Sequence, residues 1–187
     1  MARHASSPSQ TAGLAAQRRI VVLGCAGSGK TTLAVQLGER LDLPVVHLDL
    51  LYWEPGWQAR HTANFLARVA DAVAGEGWVS EGNYRETFPL RLPRADAVII
   101  MECSRWLCLW RVLRRTYFRR GRRPDLPPGC PEKVDWGFLK FILRFQKRTW
   151  PRIEADRRLH GEDVPVTRLR SKHQIDAFLA GLPQPPR

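Results

Sequence analysis

Eight consecutive residues, Gly24-Cys25-Ala26-Gly27-Ser28-Gly29-Lys30-Thr31, satisfy the pattern GxxxxGK[ST] in full. Glycines at these positions let successive backbone amides turn inward and form a nest for an anion. Lys30 then reaches the β- and γ-phosphates of a nucleoside triphosphate, and Thr31 offers its hydroxyl to magnesium. Thr32 completes the nucleotide-binding set. Context separates such a loop from a chance match in a glycine-rich turn. Ile20 to Leu23, before it, is a short β-branched run that predicts a buried strand. Thr32 to Leu37, after it, predicts a helix. ATP and Mg2+ are therefore the expected ligands.

Two acids stand where strands should end. Asp49 follows the strand expected at Val45 to Leu48, and suits a magnesium anchor, a contact to a substrate hydroxyl or the base that deprotonates it. An aspartate there also suits a helix cap. Glu81 ends the strand expected from Gly77 and opens the turn Glu81-Gly82-Asn83-Tyr84-Arg85. Its carboxylate can hold a magnesium-bound water, while Arg85, with Asn83 beside it, can grip an acidic acceptor. A plain surface turn with an exposed charge pair is the alternative. His47 lies on the strand itself, where a satisfied core histidine is the simpler reading.

Arginines crowd the next region. Seven of them, Arg111, Arg114, Arg115, Arg119, Arg120, Arg122 and Arg123, fall within thirteen residues. Arg111 and Arg115 are four apart and share a helix face, as do Arg144 and Arg148 farther on. Guanidiniums closing over a migrating phosphoryl group stabilise its equatorial oxygens, so Arg111 and Arg115 join Lys30 and Asp49 as candidate catalytic groups. Arg144 and Arg148, with Tyr52 and Trp53 from the segment 52–57, are candidates for substrate binding. A solvated basic face or a nucleic-acid patch are the competing readings of the arginines.

Elements must bring these residues together. Strands are expected at 20–23, 45–48, 77–80, 97–101 and 164–169. Helices are expected at 32–37, 63–74, from Ser104 through Tyr117, from Val134 to a stop or kink at Pro151, and at 174–179. Trp53 to Trp57 reads as a loop, and the proline- and glycine-rich stretch from Arg119 to Pro131 as part of a lid spanning about residues 116–135. Alternating strands and helices build a parallel sheet, whose ligands bind beyond the carboxyl ends of its strands. The phosphate loop, Asp49 and Glu81 should then share one rim.

The whole chain sets the frame. Its 187 residues, 44% hydrophobic and 26% charged, make one globular domain at 19–187 behind a flexible tail at 1–18. A net charge of +12 predicts acidic partners: phosphates, nucleic acid or anionic lipid. Cys25, Cys103, Cys108 and Cys130 show no zinc-binding spacing, and free thiols suit the cytoplasm. No stretch approaches the roughly 18 apolar residues of a membrane span. A soluble monomer or homodimer is expected.

The phosphate loop, Asp49, the Glu81-Gly-x-x-Arg85 turn and the arginine lid together resemble the adenylate-kinase-like nucleotide and small-molecule kinases. The runs HLDLLYWEPGW, EGNYRETFPLRLPRAD, RWLCLWRVLRRT and PDLPPGCPEKVDWGFLKFILRF resemble, more closely, the bacterial family labelled DNA topology modulation proteins. The resemblance spans roughly residues 19 to 180. It implies a three-layer P-loop fold of the nucleoside-monophosphate-kinase type: five parallel strands, helices on both faces, a lid, and an acceptor-binding region near residues 49–75. It implies that Glu81 helps order magnesium and Arg85 holds the acceptor's phosphate or carboxylate. It puts Arg111 and Arg115 at the base of the lid and Asp49 against the acceptor hydroxyl. Asn83 and Tyr84 replace the Phe-Pro of nucleotide kinases, a departure from adenosine monophosphate as acceptor. Two functions are thus expected in order: a kinase for a nucleotide or small acidic or hydroxyl acceptor, then a nucleotide-dependent DNA-binding regulator.

Overall fold

The computed structural model describes residues 17–118, 125–131 and 135–182. Residues 1–16 of the expected tail, and the lid arginines Arg119, Arg120, Arg122 and Arg123, lie outside the described residues. The described residues begin inside the segment expected to be a tail. Arg18 already accepts from the Trp78 amide and donates its own to Asp96, so it belongs to the sheet edge.

Among the described residues the main sheet has five strands in the order β2-β5-β1-β6-β7, all parallel. They are β1 (Arg19–Gly24), β2 (Val45–His47), β5 (Trp78–Glu81), β6 (Ala97–Met101) and β7 (Val166–Leu169). β1 is central because its residues from Ile20 onward are apolar and small enough to be covered from both sides. Its alternation divides the core in two. Val21 and Leu23 pack with Leu48, Phe65, Phe88, Val112, Ile142 and Ile153. Ile20 and Val22 face Leu33, Leu37, Phe178 and Leu179. The second cluster rests on α1 (Lys30–Leu41) and α8 (Lys172–Ala180). The first rests on α2 (Leu48–Tyr52), α3 (Thr62–Ala72), α4 (Phe88–Arg91), α5 (Arg105–Phe118), α6 (Trp136–Arg144) and α7 (Trp150–Gly161). This is the three-layer P-loop fold of the nucleoside-monophosphate-kinase type.

Three expectations need correction. The second strand stops at His47, not Leu48: Leu48 opens the short helix α2, and Asp49 lies in its first turn. The segment after it is not a loop but an antiparallel hairpin, β3 (Trp53–Glu54) with β4 (Gln58–Ala59), turning through Pro55, Gly56 and Trp57. Third, the interruption expected at Pro151, as a stop or a kink, lies just before the proline and not at it. Residues 145–149 form a single π-helical turn, and α7 continues from it with Pro151 in its first turn. First-turn residues lack an intrahelical acceptor for their N–H, so proline loses nothing there.

Candidate active site

The loop from Gly24 to Thr31 joins β1 to α1. Gly27 and Gly29 adopt φ +80° and +100°, the region that favours glycine. A Cβ on Gly27 would collide with the Cys108 carbonyl of α5, so this loop packs directly on the helix expected to carry the lid. Gly29 is the N-cap of α1 and carries no side-chain cap, which leaves the first-turn amides to a phosphate. Ser28 is buried and its hydroxyl makes no hydrogen bond among the described residues. Cys25 is buried, Ala26 half-buried and Thr32 exposed.

Asn83 holds the start of this loop. Its Oδ1 accepts from the Gly24 amide at 3.0 Å and its Nδ2 donates to the Gly24 carbonyl at 2.7 Å. Expected to bind substrate, the amide is instead committed at both ends to the backbone. It is a brace between the β1 and β5 strand ends. The turn that carries it is braced in its own right by Arg91. That guanidinium is fully buried and donates to Thr87 Oγ1, Ser80 Oγ and the Gly82 carbonyl. Burial lowers its pKa to about 9, which leaves it charged at neutral pH.

Glu81 sits at the centre of the rim, 1% exposed. Its Oε1 meets His47 Nδ1 at 3.0 Å and accepts from Thr31 Oγ1 at 3.3 Å. Its Oε2 makes no hydrogen bond among the described residues and lies 3.7 Å from Lys30 Nζ. Burial pushes its pKa up, but Lys30 and His47 outweigh that and hold the carboxyl below its ordinary value. His47 is thus part of the site, not an incidental core residue. Thr31 Oγ1 is also 3.2 Å from Asp125 Oδ2, an acid that its proline-rich surroundings hid in the sequence. A threonine hydroxyl between two carboxylates, one with a buried oxygen that lacks a hydrogen bond, is a donor set suited to magnesium.

Asp49 lies on the same rim. Tyr84 donates its hydroxyl to Asp49 Oδ1 at 2.6 Å. Loss of solvation raises the Asp49 pKa above its ordinary value, against the pull of Lys30 and the tyrosine bond. The departure at position 84 therefore supplies a second functional group. Tyr52 packs on Trp53, Phe65 and Tyr84 with ring centroids 4.7–5.0 Å apart, forming an aromatic wall beside Asp49. Trp53 stacks edgewise on Trp57.

The arginines divide. Arg111 Nη1 donates to the Ser28 carbonyl at 3.1 Å, so it faces the phosphate loop. Arg115 lies one turn farther along α5, half-buried. Arg85 pairs with Asp156 of α7 at 2.5 Å and lines an open hollow of about 520 Å³ with Lys147, Arg148, Thr149 and Arg152. Arg148 is therefore placed with Arg85, whereas Arg144, paired with it in the sequence, is exposed and does not line that hollow. The π turn separates the two, where an uninterrupted α-helix would have aligned them. Lys147 and Arg152, which no motif marked, take the place of Arg144.

Fold and loop together define a P-loop fold of the nucleoside-monophosphate-kinase type. No family model matches the chain, and no curated protein matches it. Solved structures do. The chain is similar to a shikimate kinase from Bacteroides thetaiotaomicron, at 18% identity over 88% of this chain and 95% of that one, with a TM-score of 0.56. It is similar to a gluconokinase from Sinorhizobium meliloti, at 19% identity over 88% of this chain and 90% of that one, with a TM-score of 0.53. At such identities the likeness establishes the fold.

Proposed function

We propose that the chain is a magnesium-dependent kinase that transfers the γ-phosphoryl group of ATP to a small acceptor bearing both a hydroxyl and an acidic group. The observation that carries this reading is the convergence of Lys30 and Thr31 of the phosphate loop on Glu81, with Asp49 beside them; Arg85 in addition lines a basic hollow. The acceptor oxygen attacks the γ-phosphorus, the bond to the bridging β,γ-oxygen breaks, and ADP leaves. Asp49 takes the hydroxyl proton, held in position by Tyr84. Lys30 exchanges Glu81 for the phosphates, and Arg111 keeps the loop against α5. Thr31 and Glu81 are the residues that would hold magnesium, which would supply charge neutralisation for the phosphate oxygens. Arg85, Arg148, Lys147 and Arg152 take the acceptor's carboxylate or phosphate, with Arg115 and the Tyr52 and Trp53 wall completing the enclosure.

A shikimate kinase and a gluconokinase among the similar structures agree with this substrate class. The test is an acceptor panel of hydroxy acids, sugar acids, nucleosides and nucleotides, monitored by ADP release, with Lys30→Ala as control. Transfer to at least one acidic acceptor, abolished in Lys30→Ala, is expected. No transfer to any member sinks the reading.

A second reading, a nucleotide-dependent DNA-binding regulator of the DNA topology modulation type, draws on one observation. Trp106 and Trp110 of α5 are 61% and 54% exposed, with Arg105 and Arg114 lying over their rings. Such faces suit stacking and phosphate contact. Binding to DNA that is absent at low salt, or flat in salt, removes this reading.

A further inference from the structure

Three of the four cysteines gather where the phosphate loop meets α5. Gly27 rests on the backbone of Cys108, so closely that an added Cβ would lie 2.4 Å from the Cys108 carbonyl oxygen. Cys25, two residues earlier in the loop, is 4% exposed and shares a core cluster with the wholly buried Cys108. Their thiols hydrogen-bond to one another, and the Cys108 thiol also bonds with Cys103. Cys103 is half-buried and opens on a cavity of about 40 Å³ that Ser28 and Arg111 also line. Arg111 Nη1 joins loop and helix there, reaching the Ser28 carbonyl at 3.1 Å and Cys103 Sγ at 3.8 Å. The fourth cysteine, Cys130, donates to the Glu54 carbonyl instead.

Buried thiols are inert until one of them ionises, because the thiolate is the nucleophile. Donation from Cys108 lowers the Cys25 pKa, and Lys30 adds to that against the effect of burial. The same bond raises the Cys108 pKa, and burial pushes Cys103 up to about 11. The contacting pair thus divides the two roles that a disulfide needs, with Cys25 as the attacking sulfur and Cys108 as the resolving one. Hydrogen peroxide is the oxidant that suits so enclosed a pair, being only two heavy atoms in size. The Cys25 thiolate attacks one peroxide oxygen, the O–O bond breaks, and hydroxide leaves to be protonated to water. The Cys108 sulfur then attacks the resulting sulfenic sulfur, and the S–O bond breaks. The departing hydroxide takes the Cys108 proton as a second water. Two thiols are oxidised to one disulfide and one peroxide is reduced to two waters. The new bond holds its sulfurs about 2.05 Å apart, closer than two hydrogen-bonded thiols stand. The loop must then close on α5 at Cys25, while Gly27 already touches Cys108 and leaves no slack.

We propose that Cys25 and Cys108 are a peroxide-oxidised pair whose reversible disulfide clamps the phosphate loop to α5 and disables it. This rests on the phosphate loop binding a nucleoside triphosphate. It adds oxidative control of that site, through residues that the phosphate-loop pattern leaves unspecified. The backbone amides of the anion nest lie between Cys25 and α1, so a pull on Cys25 turns them away from the phosphates.

The experiment treats the full chain with hydrogen peroxide, alkylates the remaining thiols and maps the peptides by mass spectrometry without reductant. A Cys25–Cys108 cross-link is expected, reversed by dithiothreitol, with Cys130 still alkylated. Affinity for the β,γ-imido analogue of ATP, measured by calorimetry, should fall at least tenfold on oxidation and return on reduction. A displacement of about 1 Å in a positioned site can cost roughly a hundredfold, so a tenfold loss is well within reach. Cys108→Ser should bind the analogue within twofold of the reduced wild type and no longer respond to peroxide. Cys103→Ser should respond as the wild type does. A cross-link found only on Cys103, or an oxidised wild type that binds the analogue within twofold of the reduced chain, overturns the proposal and leaves the kinase reading standing. An equal loss of affinity in oxidised Cys108→Ser overturns it too, since the loss then needs no disulfide. If Cys108→Ser does not fold, the cross-link map and the wild-type affinities decide the matter by the same criteria. If the reduced wild type does not bind the analogue at all, the nucleotide reading falls and the proposal with it.

Discussion

Tyr84 and Asp49 form a pair whose chemistry can be read as a pH profile. The tyrosine donates to the charged form of the carboxylate, and so holds the Asp49 pKa lower than burial alone would leave it. As the proposed base, Asp49 would have to be deprotonated to take the acceptor's proton. The acid limb of kcat/KM is therefore expected above the ordinary aspartate value of 3.8. Removing the hydroxyl in Tyr84→Phe takes a stabilising bond from the charged form, so the limb should move to still higher pH. A hydrogen bond to a charged group is worth about 1.5–3 kcal/mol, or roughly one to two pH units. Asp49→Asn should lower kcat by roughly 10²–10⁴-fold and abolish the limb. A limb that stays put in Tyr84→Phe assigns the base elsewhere. Asn83 offers a stability counterpart. Asn83→Ala strands both polar groups of Gly24 and should cost about 1–3 kcal/mol, read as a lower urea midpoint, with weaker nucleotide binding. An unchanged midpoint removes the bracing role. The residue types at 49, 81 and 83 announced themselves in the sequence, but their partners did not. Which backbone group Asn83 would meet depends on β1 and β5 lying side by side, and no local pattern states that.

The π turn at residues 145–149 decides what the basic hollow contains. It places Arg148 with Arg85, Lys147 and Arg152 and leaves Arg144 outside. Deleting Gln146, exposed within the turn, should restore α-helical phase and rotate α7 by about 100° relative to α6. Affinity for an acidic acceptor is then expected to fall more than tenfold, with nucleotide affinity held within twofold, both by calorimetry. Equal losses for both ligands would instead mean a general unfolding of α6 and α7. Most elements were legible, because β1, β6, α3 and α5 carry clean β-branched runs or helical spacing. α7 was not. Its apolar residues lack periodicity, its buried Arg157 reads as surface, and Pro151 looks like a stop. The hairpin was hidden for a related reason: strands of two residues leave no alternation to detect.

At the scale of the whole molecule the excess of positive charge acts in two directions at once. A net charge of +12 repels itself in the folded state, and added salt shortens the range of that repulsion from about 8 Å at 0.15 M to about 3 Å at 1 M. The fold also contains attractive pairs that salt weakens. Glu102 joins Arg168 and Arg170 at 2.6 Å each, and Glu154 joins Arg157, Arg158 and Arg168, tying β6, β7 and α7 together. Exposed pairs of this kind contribute only about 0–1 kcal/mol apiece, and those on Arg158 and Arg170 are well exposed. The like-charge excess is therefore expected to win, and Tm should rise between 0.05 and 0.5 M NaCl. The hollow lined by Arg85, Lys147, Arg148 and Arg152 draws on the same charge for attraction. An acidic acceptor should accordingly bind more weakly over the same salt range, through a slower association rate. Stability and acceptor affinity would then move in opposite directions with one variable. A Tm that falls with salt would show that the Glu102 and Glu154 networks, not the net charge, govern the fold's response.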